Sequence, residues 1–140
     1  MSLKHIKNTL ESYLIANVTT VAIKMPNTSY YTLNGVALTQ AQIDNLSFYI
    51  EPSIIPISQE REIFSSDKPI AYEAFFQINI YADVGDGLGS TFNLISTLDG
   101  LFREKILSNV TCLKTVTLNS FEVAGVVVMP YRVLAQYRAS

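Results

Sequence analysis

"AYEAFFQINIYADVGDGLGSTFNLISTLDGLF", residues 71–102, decides how this chain folds. Its first half alternates. Tyr72, Ala74, Phe76, Ile78 and Ile80 fall on one side of an extended chain, and Glu73, Gln77 and Asn79 fall on the other. That is the period-two signature of a strand with one buried face. Phe75 and Tyr81 interrupt the polar side, so that side is also expected to meet another surface, and both are candidate interface residues. The second half repeats at three and four residues. Leu88, Phe92, Ile95, Leu98, Phe102 and Ile106, widened by Leu94 and Leu101, predict a helix over 88–107. Gly100 lies inside it at a cost of about 1 kcal/mol relative to alanine. That glycine is expected to let the helix pack closely onto the sheet.

Between strand and helix stand Gly85, Gly87 and Gly89. Strand, glycine-rich loop and helix is how many phosphate sites begin. A Walker loop, however, needs a lysine after its last glycine, and here Ser90-Thr91 follows Gly89. The dinucleotide fingerprint needs a G-x-G-x-x-G spacing, which is absent. Asp83 and Asp86 are three apart and do not match the ligand spacing of a calcium loop. The glycines read as a structural turn that supplies positive φ where a strand reverses into a helix. Anion binding at the helix N-terminus is the lesser alternative.

Working outward, Leu3, Ile6, Leu10, Tyr13 and Leu14 predict an amphipathic helix over 3–16, with Ser2 as its N-cap. Thr19, Val21, Ile23 and Met25 alternate as a strand that Pro26 ends. Asn34-Gly35 signals a two-residue hairpin, and Thr39 to Gln42 offers instead a short helix opened by a capping box. Leu46, Phe48 and Ile50 begin another strand. Pro52 and Pro56 push its continuation toward an edge or a bulge, because proline has no N–H for the ladder. Residues 58–69 are read as a long polar loop. Strands are predicted over 110–121 and 125–137, the latter with Pro130 at an edge or bulge. The fold class that results is α+β: one domain over 1–140, a mainly antiparallel sheet of four to six strands, and two helices packed on one face.

Composition narrows the function. Only 16% of the 140 residues are charged, against about 25% in an average domain, which suggests surface reserved for a partner. A net charge of -2 argues against nucleic-acid binding by bulk attraction. Cys112, the single cysteine, permits no internal disulfide and reads as a buried spectator. The N-terminal residues lack the apolar core of a signal peptide, and no apolar run reaches the roughly 18 residues that span a bilayer. The expectation is a soluble cytoplasmic protein without membrane contact. His5, the only histidine, is expected at the surface. Glu60 and Glu62 form a carboxylate pair, but Arg61 between them and nearby Lys68 make ion pairing the simpler reading. Nothing assembles nucleophile, base and oxyanion donor. No catalytic residue, cofactor or metal is expected, and the chain is not read as an enzyme.

The strand "AYEAFFQINIYADVGDGLGS", the helix "TFNLISTLDGLF" and the closing strand "VVVMPYRVLAQY" together resemble the phage tail terminator-like family, and "FYIEPSIIPIS" is similar to an earlier strand of that family. The resemblance covers about residues 1–24 and 46–137. It implies a structural protein of a phage or prophage. Identical copies would join into a ring, commonly a hexamer, that docks on the last ring of the major tail tube protein. The ring would halt tube growth and offer a surface to the head-connector protein. Assembly would take place in the bacterial host cytoplasm and the product would sit in the virion tail. The alternatives are a head-tail joining or neck protein, or a small ligand-binding module or enzyme using the Gly85–Gly89 turn. Within the first reading, the 58–69 loop is expected to reach a neighbouring copy or the tube through Glu60, Arg61, Glu62, Asp67 and Lys68.

Overall fold

A computed structural model describes residues 2–57, 71–85 and 88–138. The described residues form nine strands in one mixed sheet and three helices. The chain order is α1 (Ser2–Asn17), β1 (Ala22–Lys24), β2 (Tyr31–Leu33), β3 (Val36–Ala37), α2 (Gln40–Asp44), β4 (Phe48–Pro56), β5 (Ala71–Asp83), α3 (Gly89–Phe102), β6 (Ile106–Leu107), β7 (Val110–Thr117), β8 (Phe121–Val123) and β9 (Val126–Arg138). The α+β class and the predominance of antiparallel pairing agree with the sequence reading. The sheet is larger than the four to six strands expected, and a third helix is present. The two strands of the Asn34-Gly35 hairpin add to the count, and β6 and β8 are two and three residues long, too short for alternation to register in a sequence.

The sheet runs β3-β2-β1-β4-β5-β9-β7-β6, with β8 paired to β9. Only β1 and β4 are parallel neighbours among the described pairs. Both alternatives for residues 34–42 are realised, one after the other. Asn34 and Gly35 take φ of 52° and 79° and close the β2–β3 hairpin, as two-residue turns demand. Thr39 then caps α2, its side chain accepting from Gln42 N while the Gln42 side chain accepts from Thr39 N.

Helices α1 and α3 lie on one face. Ile6, Leu10 and Leu14 of α1 and Leu94, Leu98 and Phe102 of α3 join Ile50, Phe76, Ile78, Tyr131 and Val133 in one buried cluster. Leu3 and Tyr13 pack at its margin, so the α1 stripe is as read. The α3 stripe is rotated from expectation. Thr91, Leu94, Leu98 and Phe102 are buried, whereas Phe92 is half exposed. The helix also stops at Phe102. The chain turns through Glu104 (φ 55°) into β6, which places Ile106 at 72% exposure and off the helix. Gly100 is not a close-approach site, because a Cβ there would meet nothing within 4 Å.

The prolines mark ladder gaps, and the strands containing them are not simple edge strands. Ile57 N–H donates to Glu73 O and Asp83 N–H to Ser47 O, so odd positions of β4 exchange bonds with β5. Pro52 and Pro56 therefore point their nitrogens away from β5, beyond Ile50, where the β1 pairing ends. Pro130 sits where β7 hands over to β8. Its carbonyl accepts from Leu118 N, and the β9 register differs between the two strands.

Candidate interaction surface

Alternation along β4, β5 and β9 presents a second face that no described helix covers. Its side chains lie on one another. Tyr49 and Tyr81 are directly opposed across β4 and β5, and their rings stack at 4.7 Å and 11°. Tyr31 meets Tyr49 edge-on at 5.4 Å. Glu51 accepts from Lys24 Nζ at 3.1 Å and from the Tyr81 hydroxyl at 3.3 Å. One strand over, the Arg132 guanidinium sits 5.1 Å above the Phe75 ring and donates to Gln77 Oε1 at 2.6 Å. Gln77 in turn donates to Asn79, and Gln136 donates to Glu73. Each such cross-strand contact contributes roughly 0.2–1 kcal/mol. Burial, with the neighbouring Tyr31, pushes the Tyr49 hydroxyl pKa up. Burial and then the Glu51 carboxylate raise that of Tyr81.

Phe75 and Tyr81, expected to meet another surface, are half-buried among the side chains of their own face. Large exposed apolar side chains occur elsewhere: Tyr30 and Val36 at the β2–β3 end, Ile106, Val116, Phe121 and Val123 at the β6–β8 end, and Val84 and Phe92 near the corner from β5 to α3. Apart from that corner, apolar exposure is concentrated at the two opposite ends of the sheet.

Glu60, Arg61, Glu62, Asp67 and Lys68 lie outside the described residues, as does Gly87. Gly85 has φ of 102°, the positive value expected of a turn glycine. Gly89 does not share that role, because it is the first residue of α3. The cap position before it is Leu88, which gives no side-chain hydrogen bond. His5 is half-buried, with its ring 4.7 Å from Tyr137, and it is not free at the surface. Cys112 is fully buried, and burial pushes its thiol pKa from 9.0 up to about 11, so little reactive thiolate forms at neutral pH.

One polar constellation escaped the sequence reading. Asp99 of α3 accepts from the Tyr131 hydroxyl at 2.6 Å, from Thr115 Oγ1 at 2.8 Å and from Arg103 Nη2 at 3.2 Å. It ties α3 to β7 and β9. Burial and then the Asp99 bond raise the Tyr131 hydroxyl pKa. The only local signal was Asp99 four residues before Arg103. A groove of about 630 Å³ runs nearby along β6 and β7, lined by Arg103, Glu104, Ile106, Lys114 and Thr115 among others. Among the described residues, no group of three or more His, Cys, Asp or Glu could hold a metal ion, and no helix is long and apolar enough to cross a membrane.

No family model matches this chain, and no curated protein matches it. A solved structure does superpose on it with a TM-score of 0.67, covering 100% of this chain and 98% of its own length at 16% sequence identity. At that identity the likeness concerns the fold.

Proposed function

We propose that this chain is a tail terminator-like structural protein of a phage or prophage, forming a ring that caps the tail tube. The observation that carries the reading is the placement of exposed apolar side chains at both ends of one sheet. A ring of identical copies needs heterologous contacts, in which one patch meets a different patch on the next copy. Two separate apolar ends on a weakly charged subunit suit that geometry. Each contact has to bury at least about 1,000 Å² to be stable. The corner bearing Val84 and Phe92, where Val84 N–H donates to Gly125 O of the β8–β9 turn, provides a further surface for the tube or the head-connector.

In this reading the ring, a hexamer on a six-fold tube, occupies the last tube layer and blocks addition of further tube subunits. Its outer side then receives the head-connector protein. The work is done by shape and buried area, without acid–base chemistry.

The test is mass and tube length. Purified protein is added to polymerising tail tube subunits from the same phage or prophage. The expected result is a ring-sized increment at tube ends and arrested elongation. Tubes that grow to unchanged lengths with no bound protein would overturn the proposal.

A further inference from the structure

We infer that adjacent copies join edge to edge, the β3 edge of one against the β7–β8 edge of the next, so that the sheet continues from subunit to subunit. The inference rests on the ring reading above and names the surfaces that close it.

Three observations converge. First, β3 ends the sheet on one side, and on the other β6 pairs only with the start of β7, so both sides have backbone groups facing outward. In the β2–β3 hairpin, Val36 is opposite Leu33 beside the turn and Leu38 N–H donates to Tyr31 O, which leaves Ala37 pointing away from β2. At the other end, Leu118 N–H donates to Pro130 O, so Thr117 and Thr115 point away from β9. An exposed strand edge is a template for another strand. Second, the apolar side chains at both edges lie on the same face. The registers place Val36 beside Leu33 and, across the sheet, Val116 beside Arg132 and Phe121 beside Val128, all on the face opposite the helices. A continued sheet therefore sets Val36 among Val116, Phe121 and Val123, which are exposed by 67%, 44%, 50% and 54% in the single chain. Third, few charges stand at either edge to be desolvated by the contact. Asp44, in the helix that follows β3, is the sole charged residue from Met25 to Ser47 and is exposed. The opposite edge carries Lys114 on β7 and Glu122 on β8, which sum to zero.

The test is mixed cross-linking. A Val36→Cys chain is combined with a Val116→Cys or a Val123→Cys chain and treated with a short thiol-to-thiol linker. Same-face neighbours on paired strands have Cβ atoms about 4.5–5.5 Å apart, within such a linker's reach. Cys112 is buried, and the unsubstituted protein is the control for it. The reaction is run on tail tubes and on concentrated free protein. The expected product is a mixed species at twice the 15.6 kDa chain mass with at least one of the two partners. Rings on tubes without that product overturn the edge pairing and leave the ring reading intact. The product in free protein, with nothing bound to tubes, supports the pairing and counts against the ring reading. Products only between two Val36→Cys chains mean a two-fold contact and overturn the inference, as does the absence of product in both settings.

Discussion

The two faces of β4, β5 and β9 are built from the same strands yet are stabilised in different ways. On the helix side, Ile50, Phe76, Ile78, Tyr131, Val133 and Ala135 are fully buried beneath α1 and α3. On the other side, Tyr49, Phe75, Gln77, Tyr81 and Arg132 are half-buried and cover one another by stacking, a cation over a ring, and amide bonds. A strand's alternation decides only that two faces exist. Whether a face becomes a core or a surface depends on what is laid across it. The helix face gains by removing apolar area from water at about 25 cal/mol per Å². The opposite face gains from pairwise contacts that leave its outer side accessible, and its apolar exposure is pushed out to the edges.

The sharpest way to break this contrast is to truncate one aromatic from each face. Phe76→Ala is expected to cost about 3–5 kcal/mol, because it leaves a cavity under two helices. Tyr81→Ala is expected to cost about 1 kcal/mol, the scale of a cross-strand stack with partial burial. Urea unfolding of the two variants measures the difference, and equal losses would remove the distinction between the faces.

Alkaline pH probes the same division more gently. A group whose pKa is higher in the folded chain than in the unfolded one contributes stability that is complete below the unfolded value and is lost as pH rises toward the folded value. For Cys112 on the helix face that window runs from 9.0 to about 11. Tyr49 and Tyr81 on the open face and Tyr131 on the helix face are also raised, so their loss begins near 10.0 and continues upward. Cys112→Ala is expected to flatten the decline between pH 9 and 10, with the later decline retained. A stability curve identical to that of the parent protein through this window would contradict the burial argument for the thiol.

The smallest effect is a gain. Gly100→Ala, on the outward side of α3 with open space for a methyl group, is expected to stabilise the protein by about 0.5–1 kcal/mol through helix propensity. A loss on thermal unfolding would mean that the outward side of α3 is under a constraint that open space does not reveal.

Much of the fold was legible in the residues. The stripe of Ile6, Leu10 and Leu14, the alternation from Tyr72 to Ile80, the Asn34-Gly35 turn and the Thr39–Gln42 capping box each depend on neighbours a few positions away. The end of α3 was not legible, because Ile106 continues the helical spacing while Arg103 and Glu104 carry no breaker residue. The azimuth of α3 was also hidden. The sets 92-95-98-102 and 91-94-98-102 share Leu98 and Phe102, so spacing alone does not say whether Phe92 or Thr91 turns inward. Of the residues expected to meet a partner, Phe75 and Tyr81 do share one face, but Arg132 and Tyr49 cover them. That cover comes from strands distant in sequence. Val36, Val116 and Val123 stood out in neither composition nor period, since an isolated valine in a short strand looks the same buried or exposed.

By itself the sequence determined the long elements: the helical and extended segments, the apolar side of α1 and of β5, and where glycine and proline break the pattern. Those properties follow from backbone sterics and side-chain spacing within about one or two turns of chain. Only the tertiary structure decided that β1 runs parallel to β4, that β9 lies between β5 and β7, and that the apolar remainder outside the Val84 and Phe92 corner collects at the two sheet edges. Those outcomes depend on which distant strands pair, because a strand's hydrogen-bonding groups are satisfied by neighbours its own residues do not specify.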